Sequence, residues 1–486
     1  MGKRTPAAKS ASANQVKSKA SEQLSAAASA LLDLCSQPLP DSSSAQWTVF
    51  EKIYQAIADL RELQITSLPP SKLLPPRDAD RTQSLPRFLQ WCNDSEIQTS
   101  GIDISPSQTI MGELGLRATE SLAEAQKIAV VPRSAMLTSD LAVTDPTYEK
   151  IFSQDAILGQ MPNVALAILL LCERAKGPGS QWKPYLDIMP RRFTIPLYFD
   201  WSDFEALKGS SALPDAMRQL HNIGRQYSYF YGLLCNNSYL TRLPITAQTF
   251  TYDAYRWAVS VVMTRMNVIP SCANGKGNIP ALIPFWDMAN HATGQVCTEF
   301  ADNAGICYAM RNFAAQEEVT IYYGARSNDA FLVNNGFFAG PEHATLSVRL
   351  GLSKSDKLFT LRSQCLSLIG LEPAMDFRLR LASPTIPESM RQFAEIFVAS
   401  DDNLKQALEA NAWKSDAEHQ KKAAQFLANR FELLIKLIGR SAEQIGSDLN
   451  QPDVSATQRL CLTFVRSELD ILVKAKLECT VQSSSD

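Results

Sequence analysis

Apolar residues recur at helical spacing over most of the chain. Residues 26–65 carry this spacing and a Pro-rich break follows at 69–76. Helices are predicted again over 148–267, where Thr251 is a suitable N-cap for the last of them. From about residue 355 onward the spacing is again helical. These patterns predict a chain that is mainly α-helical.

Strand patterns appear in two shorter stretches. Ile128–Val131 is a short apolar run that ends at a proline. Farther along, Asp302-Asn-Ala-Gly305 indicates a hairpin turn, Val319–Tyr323 is typical of a buried strand, and the residues at 346–350 alternate between apolar and polar. The order of elements predicts an α+β fold, in which a small β-rich domain is split by a helical insert and followed by a helical domain.

The predicted boundaries divide the chain into six segments. They are a disordered basic arm (1–25), an N-terminal helical segment (26–104), the first part of the β-rich domain (105–145), the helical insert (146–264), the second part of the β-rich domain (265–345) and the C-terminal helical domain (346–486). The arm is assigned from its Lys, Ala and Ser content.

Composition excludes several classes of protein. The 486 residues are 45% apolar and 20% charged, with a formal net charge of −3, which is typical of a soluble globular protein. The chain has no excess of basic residues that would indicate nucleic acid as its main partner. No apolar run approaches the roughly 18 residues that a membrane span needs. No apolar segment of a secretory signal follows the N-terminal basic residues. We therefore expect a monomer without nucleic-acid or membrane partners.

Cysteines and histidines do not form the pattern of a metal site. The ten cysteines are dispersed and lack CxxC spacing, and the four histidines are scattered. Each cysteine is interpreted as a small buried apolar residue in a reducing compartment. P-loop, HExxH and GxSxG motifs are absent, which argues against the enzyme classes that depend on them.

Four features of the sequence are candidates for chemistry. Gly112–Ala118 has glycines beside a strand, where a ligand can approach the backbone. Pro284–His291 places Trp, Asp, Asn and His within eight residues, and Ile321–Asn328 has a tyrosine before a glycine at the end of a strand. Arg265 shares a helix face with apolar residues. Taken singly, each also fits a structural role as a turn, a buried polar loop, a packed tyrosine or a helix cap.

Together these segments resemble the SET methyltransferase family. The glycine-bounded turn at 112–118 resembles the family's cofactor loop, Asn290-His291 resembles its Asn-His signature, and Tyr323-Gly324 resembles its catalytic Tyr-Gly pair. The order and spacing of the three agree with the family. The helical insert and the helical C-terminal domain resemble the branch related to the Rubisco large-subunit methyltransferase.

The resemblance implies a protein methyltransferase that uses S-adenosylmethionine and transfers a methyl group to a histidine side chain of actin. The dispersed cysteines indicate the cytoplasm, and the basic N-terminal arm indicates the nucleus as a second location. The resemblance further implies that Tyr323 and Asn267 are catalytic and that Trp286 and Arg326 contact the substrate. The residues implied for the cofactor are Arg81, Gly112, Glu113, Leu114, Arg265, Asp287, Met288, Ala289, Asn290, His291, Asn335, Gly336 and Phe337.

The choice of histidine as the target depends on Asn267. Lysine-modifying relatives usually have an aromatic residue at this position. A histidine, with a pKa near 6.5, is largely neutral at pH 7, whereas a lysine with a pKa near 10.4 must first lose a proton. Two alternatives stay open: a lysine methyltransferase of the same fold, and a non-catalytic SET-like module that binds actin and no cofactor.

Overall fold

The computed structural model describes residues 6–40, 42–74, 81–108, 113–236, 238–272 and 277–483, with side chains between residues 19 and 480. They form two compact units, one of Met1–Tyr198 and Met217–Gly324 and one of Phe199–Ala216 and Ala325–Asp486. None of the helices in these ranges is both long and apolar enough to cross a membrane. The predicted α+β class is confirmed.

Along the chain, the helices of the first unit come before and after its first five strands. They are α1 (Pro6–Ser36), α2 (Ser43–Ser67), α3 (Leu85–Asp94), α4 (Leu141–Thr144), α5 (Pro146–Phe152), α6 (Ala156–Gln160), α7 (Pro162–Ala175), α8 (Lys183–Asp187), α10 (Leu213–Cys235) and α11 (Tyr252–Arg265). Helix α7 is buried all round from Val164 to Glu173, and Thr251 caps α11 by accepting the Ala254 N–H, which confirms that prediction.

The N-terminal segment differs from the prediction. The sequence predicts a disordered arm over 1–25, but α1 begins at Pro6. The physical reason is the alanine content, because alanine has the highest helix propensity. A segment that is rich in Lys and Ser can therefore still form a helix when it also contains many alanines. Leu24 and Ala28 are buried, so the helix has tertiary packing before the predicted end of the arm and shortly after it.

Among the described residues of the first unit, the strands form three small sheets. Their strands are β1 (Gln98–Thr99), β2 (Ile102–Pro106), β3 (Leu114–Ala118), β4 (Lys127–Pro132), β5 (Leu137–Thr138), β6 (Asn267–Pro270), β7 (Asn278–Leu282), β8 (Asn290–His291), β9 (Thr298–Ala301), β10 (Ala304–Tyr308) and β11 (Glu318–Ile321). The strand orders are β1-β4-β10-β9, β2-β3-β11-β8 and β5-β7-β6. Asp302 and Asn303 have positive φ and form the predicted turn between β9 and β10.

The pairing of β8 with β11 positions the candidate chemistry. It is parallel, with Asn290 opposite Thr320 and His291 opposite Ile321. On its other edge β11 pairs antiparallel with β3, so that Val319 lies opposite Leu116. All three candidate segments therefore meet in one four-stranded sheet, although more than 200 residues separate the first from the last.

The second unit consists of helices and one pair of strands. Its elements are α9 (Trp201–Ala206), α12 (Asn328–Asn334), β12 (Thr345–Gly351), α13 (Phe359–Leu368), β13 (Ala374–Arg380), α14 (Glu388–Val398), α15 (Asp401–Glu409), α16 (Ala417–Ile438), α17 (Ala442–Leu449) and α18 (Ala456–Ser483). Residues 199–216, which the sequence assigns to the helical insert, pack within this unit. The backbone of Gly209 lies so close to Leu437 that an added Cβ would be 2.2 Å from the Leu437 carbonyl oxygen.

Strand β13 corrects the prediction of an all-helical C-terminal region. It pairs antiparallel with β12 over seven residues, and Phe377 and Leu379 are buried while their neighbours are exposed. The alternation is that of a half-buried strand. The exposed positions of β13 include two arginines, which are equally common on helices. Seven alternating residues of this composition therefore do not identify a strand from the sequence alone.

Candidate active site

Tyr323 follows the end of β11 and is held against β8. Its hydroxyl donates a hydrogen bond to the Ala289 carbonyl oxygen at 2.7 Å, and its backbone N–H donates to Nδ1 of His291 at 3.2 Å. The two rings lie 5.2 Å apart between centroids. Because Nδ1 accepts a hydrogen bond, a neutral His291 carries its proton on Nε2. The hydroxyl of Tyr323 is thereby directed by the backbone carbonyl of the residue before β8, and the Tyr323 backbone is held by the His291 side chain.

A buried ionic cluster lies beside this strand pair. Arg265, the last residue of α11, donates to the Asp287 carbonyl oxygen at 2.7 Å, and its Nη1 lies 3.5 Å from Oδ2 of Asp287. The Tyr185 hydroxyl donates to the same Oδ2. Nη1 of Arg265 also lies 3.8 Å from the sulfur of Met288. The cluster connects α8, α11 and the segment before β8.

Burial controls the charges of this cluster. Removal from water raises the pKa of Asp287, and the Arg265 charge and the Tyr185 hydrogen bond oppose that rise without cancelling it. Burial, followed by the neighbouring Asp287 charge, raises the pKa of Tyr185 well above its usual value, so Tyr185 stays a donor. Oδ1 of Asp287 is buried and accepts no hydrogen bond from the described residues. A buried carboxylate oxygen in this state favours a ligand with an N–H donor.

Arg81 forms another ion pair of the first unit. Its Nη2 lies 2.6 Å from Oε2 of Glu113, and its Nη1 donates to the Ile188 carbonyl oxygen at 3.4 Å. Arg81 is buried, whereas about a third of the Glu113 side chain is exposed. Leu114 begins β3 and is buried, and Gly112 lies outside the described residues. Arg81 and Glu113 are therefore brought together, as the resemblance implies for one cofactor pocket.

The Asn290 side chain is fixed by three acceptors. Nδ2 donates to Oε1 of Glu318 at 2.7 Å and lies 3.2 Å from the Ser107 hydroxyl and 3.4 Å from the Leu114 carbonyl oxygen. The described residues make no hydrogen bond to Oδ1 of Asn290. Gly115 leaves room for this contact, because a Cβ there would be 2.6 Å from Oε1 of Glu318. The hydrogen bonds of Nδ2 fix the plane of the Asn290 amide and thereby the direction of its Oδ1.

Two further predicted residues of the first unit lie near the ends of these elements. Asn267 opens β6 two residues after Arg265, and its Nδ2 donates to the Arg265 carbonyl oxygen at 3.2 Å. Trp286 is buried, and its indole N–H has no hydrogen-bond partner among the described residues. It follows Phe285, whose φ of 68° is unusual for an aromatic residue and indicates a backbone held by its surroundings.

The remaining predicted residues belong to the second unit. Nη1 of Arg326 donates to Oδ1 of Asn335 at 2.8 Å. Gly336 has a φ of 81°, and the ring of Phe337 lies 4.8 Å from that of Phe331. These contacts connect the end of α12 to the residues before it. The predicted residues of this unit therefore also form one local group.

The sequence did not identify Tyr185 or Glu318 as site residues. Tyr185 is wholly buried in a short helix of the insert, and its role becomes visible only through its contact with Asp287. Glu318 gives a weak signal, since a carboxylate at the start of a buried strand requires partners. Those partners, Ser107 and Asn290, are far away in sequence.

Comparison with known proteins identifies the family. A family described as Rubisco LSMT substrate-binding matches residues 353–472. The actin-histidine N-methyltransferases of Mus musculus and Homo sapiens are each 32% identical over 462 residues, which cover 92% of this chain and 76% of theirs. That of Xenopus tropicalis is 32% identical over 478 residues, covering 94% of this chain and 78% of its own.

Solved structures agree at the level of the fold. Rubisco LSMT bound to sinefungin and monomethyllysine superimposes with a TM-score of 0.65 at 17% identity, covering 84% of this chain and 92% of that chain. Rubisco LSMT bound to AdoMet gives a TM-score of 0.64, also at 17% identity, over 82% of this chain and 92% of that chain. The similarity in sequence extends over nearly the whole chain and over three quarters of its relatives, so this chain belongs to the actin-histidine N-methyltransferase family.

Proposed function

We propose that this protein is an S-adenosylmethionine-dependent methyltransferase that methylates a histidine side chain of actin. The observation that carries the proposal is the parallel pairing of β8 with β11, which places the Tyr323 hydroxyl on the Ala289 carbonyl beside His291. This arrangement occurs in a chain that belongs to a family of histidine methyltransferases. It gives the Asn-His and Tyr-Gly motifs a common site.

The residues present fit an amino-acid-bearing nucleoside cofactor. Its ammonium group needs acceptors, and Oδ1 of Asp287 is buried without a hydrogen bond from the described residues, while the part-buried Asn290 has its Nδ2 engaged by Glu318. Its carboxylate needs a guanidinium, which Arg265 or Arg81 supplies in a partly desolvated setting. When bound, S-adenosylmethionine supplies a methyl group on a positively charged sulfur.

The chain itself positions the reacting groups, and no residue needs to form a covalent bond. The Tyr323 hydroxyl donates to Ala289, which leaves the lone pairs of its oxygen to polarise the C–H bonds of a methyl group in transfer. Positioning of the target and donor in line provides most of the rate enhancement in such a displacement. The buried cluster of Arg265, Asp287 and Tyr185 fixes the backbone next to Ala289 and so supports this geometry.

Asn267 selects the target under this proposal. Its Nδ2 is engaged by the Arg265 carbonyl oxygen, so its Oδ1 is the atom left to accept a hydrogen bond from an imidazole N–H. An imidazole bound in this way carries its proton on the nitrogen that faces Asn267. The other nitrogen then has a free lone pair for attack, and no proton has to be removed first.

The direct test is methyl transfer to actin. The purified chain is incubated with actin and S-adenosylmethionine, and mass spectrometry of the digested actin locates any added methyl group. We expect a single methylated histidine. Methylation of a lysine instead would support the lysine-methyltransferase alternative, whose relatives include a structural neighbour solved with monomethyllysine. If calorimetry detected no binding of S-adenosylmethionine, the result would support the non-catalytic module that binds actin.

A further inference from the structure

A cavity with charged walls lies in the first unit, between α7, α8 and α11. Its volume is about 200 Å³. The lining includes three cationic side chains, Arg174, Lys183 and Arg191, together with the carboxylate of Asp187 and the ring of Trp257. One ordered water needs about 10–15 Å³ of cavity, so this cavity is large enough for a small polyatomic ion.

The charges that line this cavity do not balance. Lys183 and Asp187 form an ion pair one turn apart on α8. Arg174 lies near the end of α7, forms no ion pair with the described residues, and shares the cavity with the guanidinium of Arg191. Three cations and one carboxylate leave an excess of two positive charges, whereas the whole chain has a formal net charge of −3. The excess is therefore a local feature of this cavity.

Trp257 positions both arginines. The Cζ atom of Arg174 lies 5.3 Å from the centroid of the Trp257 ring. The indole N–H donates a hydrogen bond to the Pro190 carbonyl oxygen at 2.9 Å, and Pro190 directly precedes Arg191. Because Trp257 is buried, its ring is fixed by packing. A ligand that binds here therefore meets guanidinium groups that are partly ordered in advance, which lowers the entropy cost of binding.

Burial makes the positive charge costly in the absence of an anion. Removal from water, followed by the charge of Arg191, lowers the pKa of Arg174 to about 10. Arg174 still carries its proton at pH 7, so the folded protein holds two guanidinium groups that repel each other in partly buried positions. An anion in the cavity would relieve this repulsion, and a charge-assisted hydrogen bond is stronger than a neutral one.

The cavity is separate from the proposed cofactor site. Tyr185 lies midway in sequence between the two residues of the α8 ion pair, so it faces the other side of the helix. Its hydroxyl donates to Asp287 there. On α11, Trp257 precedes Arg265 by eight residues, which is about 12 Å along a helix axis. The cavity and the ionic cluster of Arg265 and Asp287 therefore lie on opposite faces of α8.

We propose that this cavity is a binding site for a phosphate dianion, either inorganic phosphate or the phosphate group of a small ester. A phosphate ester carries a charge of about −1.5 to −2 at pH 7, which matches the excess of positive charge in the lining. Each of the two guanidinium groups can donate a pair of parallel N–H groups to phosphate oxygens. A carboxylate would balance only one of the charges and should bind more weakly. The site does not depend on the proposed methyl transfer.

The experiment is a calorimetric titration of the full-length chain at constant ionic strength. Inorganic phosphate, glycerol 2-phosphate and acetate are titrated into the wild type, Arg174→Gln, Arg191→Gln and the matched control Arg192→Gln. Arg192 is the neighbouring arginine, is exposed and does not line the cavity. We expect phosphate to bind the wild type and the control equally. Its affinity should fall about tenfold or more in the other two variants, since each loses charge-assisted hydrogen bonds.

Circular dichroism checks that each variant is folded, and Arg191→Gln decides the question if Arg174→Gln does not fold. No phosphate binding to the wild type would overturn the site, as would equal affinity in all four proteins. A loss in Arg192→Gln as large as in Arg174→Gln would also overturn it, because the anion would then be held by surface charge. Acetate that binds as tightly as phosphate would contradict the dianion. Tighter binding of the ester, or of the free ion, supports the site and identifies which of the two it takes.

Discussion

Glu468 is a buried carboxylate whose replacement has a calculable effect on stability. It lies on α18 in the second unit, is 2% exposed and accepts hydrogen bonds from the backbone N–H and hydroxyl of Ser211. Burial raises its pKa to about 7, with the Ser211 hydrogen bonds opposing and the charge of Asp329 adding to the rise. The ordinary value is 4.5. At about 1.4 kcal/mol per pKa unit, ionising this group costs the folded state about 3 kcal/mol.

The sign of the pH dependence follows from the direction of the shift. Between pH 4.5 and about 7 the folded state holds a proton that the unfolded state has released, so the stability from this group is complete below about pH 4.5 and is lost as pH rises through about 7. Glu468→Gln keeps the shape and both Ser211 hydrogen bonds, since the amide oxygen accepts the N–H and the amide nitrogen donates to the hydroxyl. The variant should match the wild type at about pH 4.5 and be about 3 kcal/mol more stable at about pH 8.

Urea unfolding of the full chain at these two pH values measures the difference. Glu418→Gln is the matched control, because Glu418 is exposed and pairs with Lys422, which lowers its pKa. It should show no gain at the higher pH. An equal change in unfolding free energy at both pH values for Glu468→Gln would refute the reasoning, since the effect would then come from packing and not from ionisation.

Three predictions concern the proposed active site. Gly115→Ala places a Cβ 3.1 Å from Nδ2 of Asn290, so the affinity for S-adenosylmethionine should fall about tenfold or more by calorimetry while the circular dichroism stays unchanged; unaltered affinity would exclude Asn290 from the pocket. Tyr323→Phe removes the hydrogen bond to a backbone carbonyl but keeps the ring, so kcat on actin should fall about 10–100-fold with little change in KM, and an unchanged kcat would make this tyrosine purely structural. Asn267→Phe combined with Trp286→Ala should lose methylation of a histidine peptide by about 10–100-fold and gain some on the matched lysine peptide; a wild type that prefers lysine would contradict the role assigned to Asn267.

Local patterns were sufficient for the helices and for most of the strands. Three features depend only on residues close in sequence: the cap at Thr251, the buried run of α7 and the alternation of β12. The spacing of these residues alone therefore indicates the element. Strand β13 was missed because its polar positions are equally compatible with a helix, and α1 was missed at its start because alanine-rich segments are typical of both disorder and helix.

The candidate site required more than local patterns. The Tyr323 and His291 motifs are 32 residues apart, and only the parallel pairing of β8 with β11 brings them together. The family resemblance predicted that these motifs share a site, but not the strand pairing, since periodicity does not specify which strands are neighbours. Tyr185 could not be predicted at all, because a tyrosine in a buried helix gives no indication that its hydroxyl faces Asp287.

The second unit is built from two separated parts of the chain, and this has a consequence for its synthesis. The Ser211 N–H finds its acceptor in Glu468, 257 residues later, and Gly209 packs on the backbone of residue 437. At translation rates of roughly 5–20 residues per second, residues 199–216 wait roughly 10–50 s for the helices that cover them. During that interval Phe204 and Leu207, both buried in the finished protein, have no partner from α18. A nascent chain halted shortly after the β-rich domain should therefore bind chaperones through this short segment, and the binding should end once α18 has left the ribosome.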